Sequence, residues 1–402
     1  MRLDDPSQVQ SHSHSRKALA RARRIVIKIG SKAFASPSPS ARASARTGAG
    51  ATADGDGEAQ TSVYQRLAAM VRELVIPQGS SPRRHRQREL VLVSSGAIAL
   101  GLEHLGMKRR PTAMPALQAA AAAGQGLLMQ RYGEAFGAHG LKVAQVLLTH
   151  ADLANRARAN NARDALTQLL HLGVVPIINE NDAVAVDEIR FGDNDELAAM
   201  VSSLIGADVL LLLSDVDGLL DGSGSRVSYL PHVDDRARGL VTKSVSSVGR
   251  GGMKSKLESA RRATLAGTHV VIASSRMHDV AQRVLRAEDV GTMLPAQGEP
   301  VSARKHWIAY TLRPRGAATV DAGAAAAIVR DKKSVLAVGV TGVRGNFVAG
   351  ELISILASDG TELARGLARL SAPEAARLAG IRGERSVPLV HRDDLVVLVQ
   401  RS

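Results

Sequence analysis

The chain has 402 residues, which is long for one compact domain and predicts two or three domains. Aromatic residues make up only 2% of it, which disfavours a nucleic-acid surface built on stacked aromatic rings, and the absence of cysteine excludes disulfides, thiolate metal sites and a cysteine nucleophile. The formal net charge of +14 favours anionic partners, but nucleic acids, membrane surfaces and phosphorylated small molecules all fit it.

The N-terminal region contains several segments without hydrophobic periodicity. Residues 1–23 are predicted to form a disordered leader, and residues 36–60 and 77–88 are predicted to be polar insertions. The leader lacks the apolar stretch of a secretory signal, and the chain contains no run of 18 apolar residues. We therefore expect a cytoplasmic protein.

Short apolar runs alternate with longer helical stretches through the first three quarters of the chain. This pattern predicts an α/β domain with a mainly parallel sheet over residues 24–311. Beyond residue 313, short strand-like segments and frequent glycines predict a separate small β-rich domain over residues 313–402. The predicted strands of the larger domain include residues 25–29, 89–94, 143–148, 174–178, 209–213 and 270–273.

Two predicted strands end in turns with residues that suit anion binding, and ligands of open α/β sheets bind at the carboxyl ends of the strands. Lys28 could bridge phosphate oxygens while Gly30 lets the backbone approach an anion; alternatively, Lys28 extends into solvent from the strand end. Ser94 and Ser95 precede a helix whose free N–H groups would suit a carboxylate or phosphate. An ordinary serine N-cap is an equally good interpretation of the second turn.

Two polar clusters, NEND at residues 179–182 and GDND at residues 192–195, lie close together in the sequence. Helix capping by Asp193 and Glu196 could explain part of the second cluster but not both. Side-chain amides and carboxylates match an amino acid ligand, which carries an ammonium group and carboxylates. The clusters therefore indicate an amino acid site.

A glycine-rich segment at residues 249–256 opens a predicted helix that contains Lys256. Its backbone N–H groups and this lysine would form a phosphate-binding end, whereas the alternative is a flexible glycine loop. The chain has no GxxxxGK[ST], GxGxxG, HExxH or GxSxG motif and no histidine and aspartate cluster at metal-ligand spacing. By these fingerprints, the chain is neither a P-loop NTPase nor a dinucleotide enzyme.

Six segments together resemble the amino acid kinase family. They are VIKIGS at residues 26–31, VSSGAIALG at 93–101, VPIINENDAVA at 175–185, FGDNDELAA at 191–199, LLLLSDVDGLL at 210–220 and GGMKSKLESA at 251–260. The resemblance implies an α/β/α sandwich and ATP-dependent phosphorylation of the γ-carboxylate of L-glutamate, the first step of proline biosynthesis. The C-terminal region looks like a PUA domain, which binds RNA in other proteins.

The resemblance also implies roles for individual residues. Lys28 and Lys256 would neutralise the transferred phosphoryl group, and Asp195 would orient both lysines. Ser95, Asp182 and Asn194 would hold glutamate. Magnesium would arrive with ATP, so no resident metal site is expected. The implied ATP contacts are Lys28, Gly30, Ser214, Asp215, Arg250, Gly251, Gly252, Met253, Lys254, Ser255 and Lys256.

Other expectations stay open at this point. The resemblance implies a homo-oligomer, dimer or tetramer, and feedback inhibition by proline. A different substrate, such as aspartate, acetylglutamate or a nucleoside monophosphate, is an alternative within the family. A protein that mainly binds RNA through the PUA-like domain is an alternative from another class, but that region has 13 Lys and Arg against 9 Asp and Glu, which supports it weakly.

Overall fold

A computed structural model of the chain describes residues 15–30, 62–76, 88–185, 194–243, 252–297, 314–381 and 387–398. The chain divides into two compact units. The first contains residues 1–149 and 160–297, and the second contains residues 150–159 and 298–402. The domain boundary predicted near residue 312 lies outside the described residues.

The first unit alternates strands and helices along the chain. Its elements, together with the short helix α4 that is assigned to the second unit, are β1 (Arg24–Ile29), α1 (Val63–Val75), β2 (Glu89–Ser94), α2 (Ala97–His104), α3 (Met114–Gly137), β3 (Lys142–Leu148), α4 (His150–Ala154), α5 (Arg156–His171), β4 (Val174–Glu180), α6 (Asn194–Ile205), β5 (Val209–Ser214), α7 (Asp235–Lys243), α8 (Met253–Leu265), β6 (His269–Ser274), α9 (Val280–Leu285) and β7 (Thr292–Leu294).

The strands of the first unit form one sheet in the order β3-β4-β2-β1-β5-β6-β7. All neighbouring strands are parallel except β7, which runs antiparallel to β6. The central strands β1, β5 and β6 are buried on both faces over nearly their whole length, as in a sheet covered by helices on both sides. The prediction of a mainly parallel α/β sheet is confirmed.

Helices α2 and α3 approach each other closely because glycine lies at their contact. A Cβ atom added to Gly101 would lie 1.7 Å from the carbonyl oxygen of Ala120, and one added to Gly124 would lie 1.8 Å from that of Ala97. No side chain fits in either place without moving a helix. Gly101, within the segment VSSGAIALG, therefore has a packing role.

Part of the predicted leader is ordered. Residues 15–19 are helical, and the side chains of Leu19 and Arg16 are buried against the rest of the first unit. Leu19 packs in the main hydrophobic core, and Arg16 donates hydrogen bonds to the carbonyl oxygens of Ser228, Glu288 and Val290. The prediction of disorder is therefore wrong for residues 15–23. Order was predicted from hydrophobic periodicity, and an arginine that binds backbone carbonyl oxygens does not contribute to such a pattern.

The second unit contains a six-stranded sheet in the order β10-β8-β11-β12-β13-β9. Buried aliphatic side chains and Phe347 form its own hydrophobic core. The prediction of a β-rich C-terminal region is therefore confirmed. Its elements are β8 (Gly316–Val320), α10 (Ala322–Asp331), β9 (Val335–Leu336), a 3₁₀ turn (Ala337–Gly339), β10 (Val340–Gly345), β11 (Leu352–Leu356), β12 (Glu362–Ala368), α11 (Ala372–Leu378) and β13 (Pro388–Val397).

In the part of the chain that the structure describes, none of the helices combines the length and apolar composition that a membrane crossing requires. The long helix α3 contains many alanines and several polar residues, and its buried side chains pack within the first unit.

Candidate active site

Two lysines from different elements meet on one carboxylate at the carboxyl edge of the sheet. Lys28 lies near the end of β1, Lys256 lies in the first turn of α8, and Asp195 is the second residue of α6. The Nζ atom of Lys28 is 2.6 Å from Asp195 Oδ1, and that of Lys256 is 2.9 Å from Oδ2. The structure thus brings all three predicted catalytic residues together.

This centre is buried and carries more positive than negative charge. Lys28 and Lys256 are each 6% exposed, and Asp195 is fully buried. Burial alone would raise the pKa of Asp195, but the two ammonium groups outweigh it and hold that pKa below its usual value. Asp195 is therefore an anion at neutral pH, and the three groups together keep one net positive charge that can attract a phosphoryl group.

A cluster of neutral polar groups lies at the ends of β2 and β4. Asn194, the first residue of α6, donates from Nδ2 to Ser95 Oγ at 2.8 Å, to the Ser94 carbonyl oxygen at 2.9 Å and to Asn179 Oδ1 at 3.0 Å. The hydroxyls of Ser94 and the buried Tyr132 are 2.9 Å apart. Two of the three residues predicted to hold glutamate, Ser95 and Asn194, are therefore in contact.

Asp182, the third residue predicted to hold glutamate, lies in the turn after β4, on the same strand end as Asn179. Burial, together with the nearby charge of Glu180, raises its pKa to about 7, while Arg110 acts in the opposite direction. Its charge is therefore sensitive to pH in the neutral range.

The structure of the turn between β2 and α2 contradicts one of the two interpretations of its sequence. The N-cap of α2 is Gly96, with a φ of 116°, and no side chain caps the helix. The alternative of an ordinary serine N-cap is wrong, since a residue with a left-handed backbone conformation, which favours glycine, occupies the cap position. The Ser95 side chain instead contacts Asn194.

The residues predicted to contact ATP lie at several strand and helix ends. Gly30 follows β1, and a Cβ atom added there would lie 3.7 Å from Lys28 Nζ, in van der Waals contact with the ammonium group. Ser214 ends β5 and donates from its hydroxyl to Asp215 Oδ1 at 3.2 Å. Arg250 and Gly251 lie outside the described residues.

The start of α8 has the properties of an anion-binding helix end. Gly252 is its N-cap, no side chain caps it, and the first-turn N–H groups are therefore not satisfied by a capping side chain. Met253 and Ser255 are half-buried and Lys254 is exposed, whereas Lys256 turns inward to Asp195. Among the described residues, no group of three or more His, Cys, Asp or Glu side chains could hold a metal ion.

Sequence reasoning missed the amide side chains of Gln125 on α3 and Gln145 on β3. Asn179 donates to Gln125 Oε1 at 3.0 Å, and Gln125 donates to Gln145 Oε1 at 2.9 Å. Neither glutamine belongs to a recognisable motif or follows a strand end. Only the packing of α3 beside β3 and β4 reveals their connection to Asn194.

Comparisons with known proteins show the family of the chain. The family model described as "Amino acid kinase family" matches residues 23–274, and the model of the PUA domain matches residues 316–387. Glutamate 5-kinase of Myxococcus xanthus is 48% identical over 326 residues, which cover 77% of this chain and 86% of that protein. Glutamate 5-kinase of Pseudomonas savastanoi pv. phaseolicola is 46% identical over 325 residues, which cover 77% and 88%.

Among solved structures, the carbamate kinase from Giardia lamblia bound to AMP-PNP is 14% identical, with a TM-score of 0.45, and the match covers 69% of this chain and 99% of that one. The family match alone extends over more than half of the chain, and relatives nearly half identical cover most of it. The chain therefore belongs to the amino acid kinase family and carries a C-terminal PUA domain.

Proposed function

We propose that this protein transfers the γ-phosphoryl group of ATP to the γ-carboxylate of L-glutamate. The product is L-glutamyl 5-phosphate, an acyl phosphate and the first intermediate of proline biosynthesis. The observation that carries the proposal is the convergence of Lys28 and Lys256 on Asp195 beside the cluster of Ser95 and Asn194. Relatives that are 46–48% identical and named glutamate 5-kinase support the choice of substrate.

The reaction asks the protein mainly for position and charge. An oxygen of the glutamate γ-carboxylate attacks the γ-phosphorus, and the bond from that phosphorus to the bridging oxygen of ADP breaks. No proton has to leave the nucleophile, because the carboxylate is already ionised at neutral pH. Catalysis therefore depends on bringing two anions together in line.

Lys28 and Lys256 are suited to overcome the repulsion between those anions. Their ammonium groups approach the same site from β1 and from α8, and Asp195 holds both in place. Little reorganisation is then needed when charge develops on the transferring phosphoryl oxygens, and preorganised charge of this kind is a large contribution to catalysis. The uncapped start of α8 would bind a further part of the polyphosphate.

The roles of the other predicted site residues follow from the charged and polar groups of glutamate and ATP. Asp182, when ionised, would pair with the α-ammonium group of glutamate, and Ser95 would contact a carboxylate. Ser214 and Asp215, at the end of β5, would contact the nucleotide. Mg²⁺ would enter bound to ATP and supply further neutralisation of phosphate charge.

An assay of ADP release with ATP, Mg²⁺ and a panel of acceptors tests the proposal, and trapping with hydroxylamine identifies the acyl phosphate. We expect turnover with L-glutamate but not with aspartate, acetylglutamate or a nucleoside monophosphate. Lys28→Ala and Lys256→Ala should abolish turnover, whereas Lys142→Ala, at an exposed position at the start of β3, should not change it. Wild-type rates in both active-site variants would show that the catalytic assignment is wrong.

Homo-oligomer formation, proline inhibition, RNA contact through the PUA domain and a cytoplasmic location remain proposals that rest on family resemblance and sequence. Light scattering with and without proline tests the first, and the acceptor panel repeated with proline tests the second. RNA affinity that falls with salt, measured beside ATP turnover, tests the third.

A further inference from the structure

Four side-chain amides form a chain from the candidate glutamate site to the edge of the sheet. Asn194 Nδ2 donates to Asn179 Oδ1 at 3.0 Å, Asn179 Nδ2 donates to Gln125 Oε1 at 3.0 Å, and Gln125 Nε2 donates to Gln145 Oε1 at 2.9 Å. Gln145 lies on β3, the edge strand of the sheet. We call Asn194, Asn179, Gln125 and Gln145 the amide relay.

The contacts of Asn179 determine which of its amide atoms donates and which accepts in the amide relay. The backbone N–H of Glu180 donates to Asn179 Oδ1 at 2.9 Å, and a backbone N–H can only donate. The oxygen of Asn179 must therefore face Glu180 and Asn194, which turns its NH₂ group toward α3. Asn179 is only 3% exposed, so this NH₂ group needs a protein acceptor, which Gln125 Oε1 supplies.

Asn179 and the backbone carbonyl oxygen of Ser94 together set the orientation of Asn194. Asn179 Oδ1, the Ser94 carbonyl oxygen and Ser95 Oγ all accept from Asn194 Nδ2. These contacts all use the nitrogen, and no hydrogen bond between described residues uses the carbonyl oxygen of Asn194. That oxygen could therefore accept a hydrogen bond from a ligand. The α-ammonium group of an amino acid is a donor that meets this requirement.

We propose that Gln125 is a positioning residue for glutamate, which acts through Asn179 to present the carbonyl oxygen of Asn194 to the α-ammonium group. The inference rests on the proposed function and adds a specific role at the same site. Without Gln125, the NH₂ group of Asn179 would lose its acceptor, and the amide could rotate. Asn194 would then lose a fixed partner, and binding of the ammonium group would weaken.

Gln125→Met tests the proposal, because methionine has a similar length and helix propensity but lacks the amide. We expect the KM for glutamate to rise by about tenfold, as for loss of one well-placed hydrogen bond, with kcat and the KM for ATP within about twofold of wild type. Glutarate, which is glutamate without its ammonium group, should inhibit the variant and wild type with the same inhibition constant.

Gln130→Met is the matched control. Gln130 lies on the same helix, is exposed, and donates to Glu134 Oε1 at 2.9 Å, away from the amide relay. We expect this variant to match wild type in all of these constants. A glutamate KM in Gln125→Met within twofold of wild type, or an equal weakening of glutarate and ATP, would overturn the proposal.

A second measurement does not depend on turnover. In ¹⁵N NMR spectra of the free protein, the side-chain NH₂ resonances of Asn179 and Asn194 should shift in Gln125→Met and stay unchanged in Gln130→Met. Unchanged resonances in Gln125→Met would contradict the inference. If wild type does not phosphorylate glutamate, the proposed function fails, while this experiment still decides whether Gln125 orients Asn194.

Discussion

The two sides of the candidate site are held by different kinds of interaction. On the phosphoryl side, two ammonium groups and one carboxylate from β1, α6 and α8 form ion pairs. On the side proposed to bind glutamate, amides and hydroxyls contact each other, and hydrogen bonds between amides continue to Gln145 on β3. An ammonium group attracts an anion from many directions. An amide binds a ligand only when the group that the ligand requires, its NH₂ group or its carbonyl oxygen, faces that ligand.

This difference leads to different expectations for substitutions. Changes on the phosphoryl side should mainly lower kcat, because its charges act most strongly on the transition state. Changes on the glutamate side should mainly raise the KM for glutamate. The following predictions test that division, and two of them concern stability alone.

Asp195→Asn should cause a large loss of turnover. It removes the carboxylate on which Lys28 and Lys256 meet, so the two ammonium groups repel each other and lose their common position. We expect kcat to fall by about a thousandfold, with the KM for glutamate nearly unchanged. Steady-state kinetics should show no change in Asp164→Asn, whose carboxylate is 69% exposed on α5. A rise in the KM for glutamate with kcat unchanged would contradict this prediction, because it would show that Asp195 acts on glutamate binding.

The pH dependence of glutamate binding should reveal Asp182. Because its pKa is raised to about 7, mainly by burial, this carboxyl is largely protonated at pH 6 and largely ionised at pH 8. Only the ionised form pairs with an ammonium group, so the KM for glutamate should fall by about tenfold over that range. Asp182→Asn should bind glutamate weakly at every pH, and a pH profile equal to that of wild type would contradict the assignment.

The same pKa shift has a consequence for stability. A carboxyl whose pKa is raised by folding binds its proton more tightly in the folded state, so its contribution to stability is lost as the pH rises through about 7. Above pH 7, Asp182→Asn should therefore unfold at no lower denaturant concentration than wild type. A loss of stability there would show that Asp182 supports the fold rather than the ligand.

Gly101→Ala should affect the glutamate side indirectly. The added Cβ atom would collide with the Ala120 carbonyl oxygen, so α2 must shift, and α2 starts close to Ser95. We expect a loss of about 2 kcal/mol in the free energy of unfolding and a rise of a few fold in the KM for glutamate. Gly126→Ala is the matched control on α3, since its Cβ atom would meet open space and should slightly stabilise the helix.

Arg16→Met should change stability but not turnover. Arg16 is 4% exposed, pairs with Asp289 and donates to several backbone carbonyls, which would lose a charged donor. We expect the free energy of unfolding to fall by about 3 kcal/mol, with kcat and both KM values near those of wild type at 25 °C. Arg21→Met, at an exposed position, should leave chemical denaturation unchanged.

The sequence allowed some of these features to be predicted and hid others. The strand ends that carry Lys28 and Ser95 follow apolar runs, and parallel strands bring their carboxyl ends to one edge, so the location of the candidate site could be predicted. Gln125 could not, because its contact with Asn179 depends on which face of α3 turns toward the end of β4. Arg16 could not either, because most of its hydrogen bonds go to backbone carbonyl oxygens, which leave no pattern in the sequence.

The central claim is that Lys28 and Lys256 act as a pair on the transferred phosphoryl group. A double-mutant cycle on kcat, with Lys28→Met, Lys256→Met and the combined variant, tests it most directly. If the two lysines act as a unit, each single variant should lose most of the activity, and the double variant should be within about tenfold of the slower single variant. Losses that multiply in the double variant, or a single variant with wild-type kcat, would contradict the account.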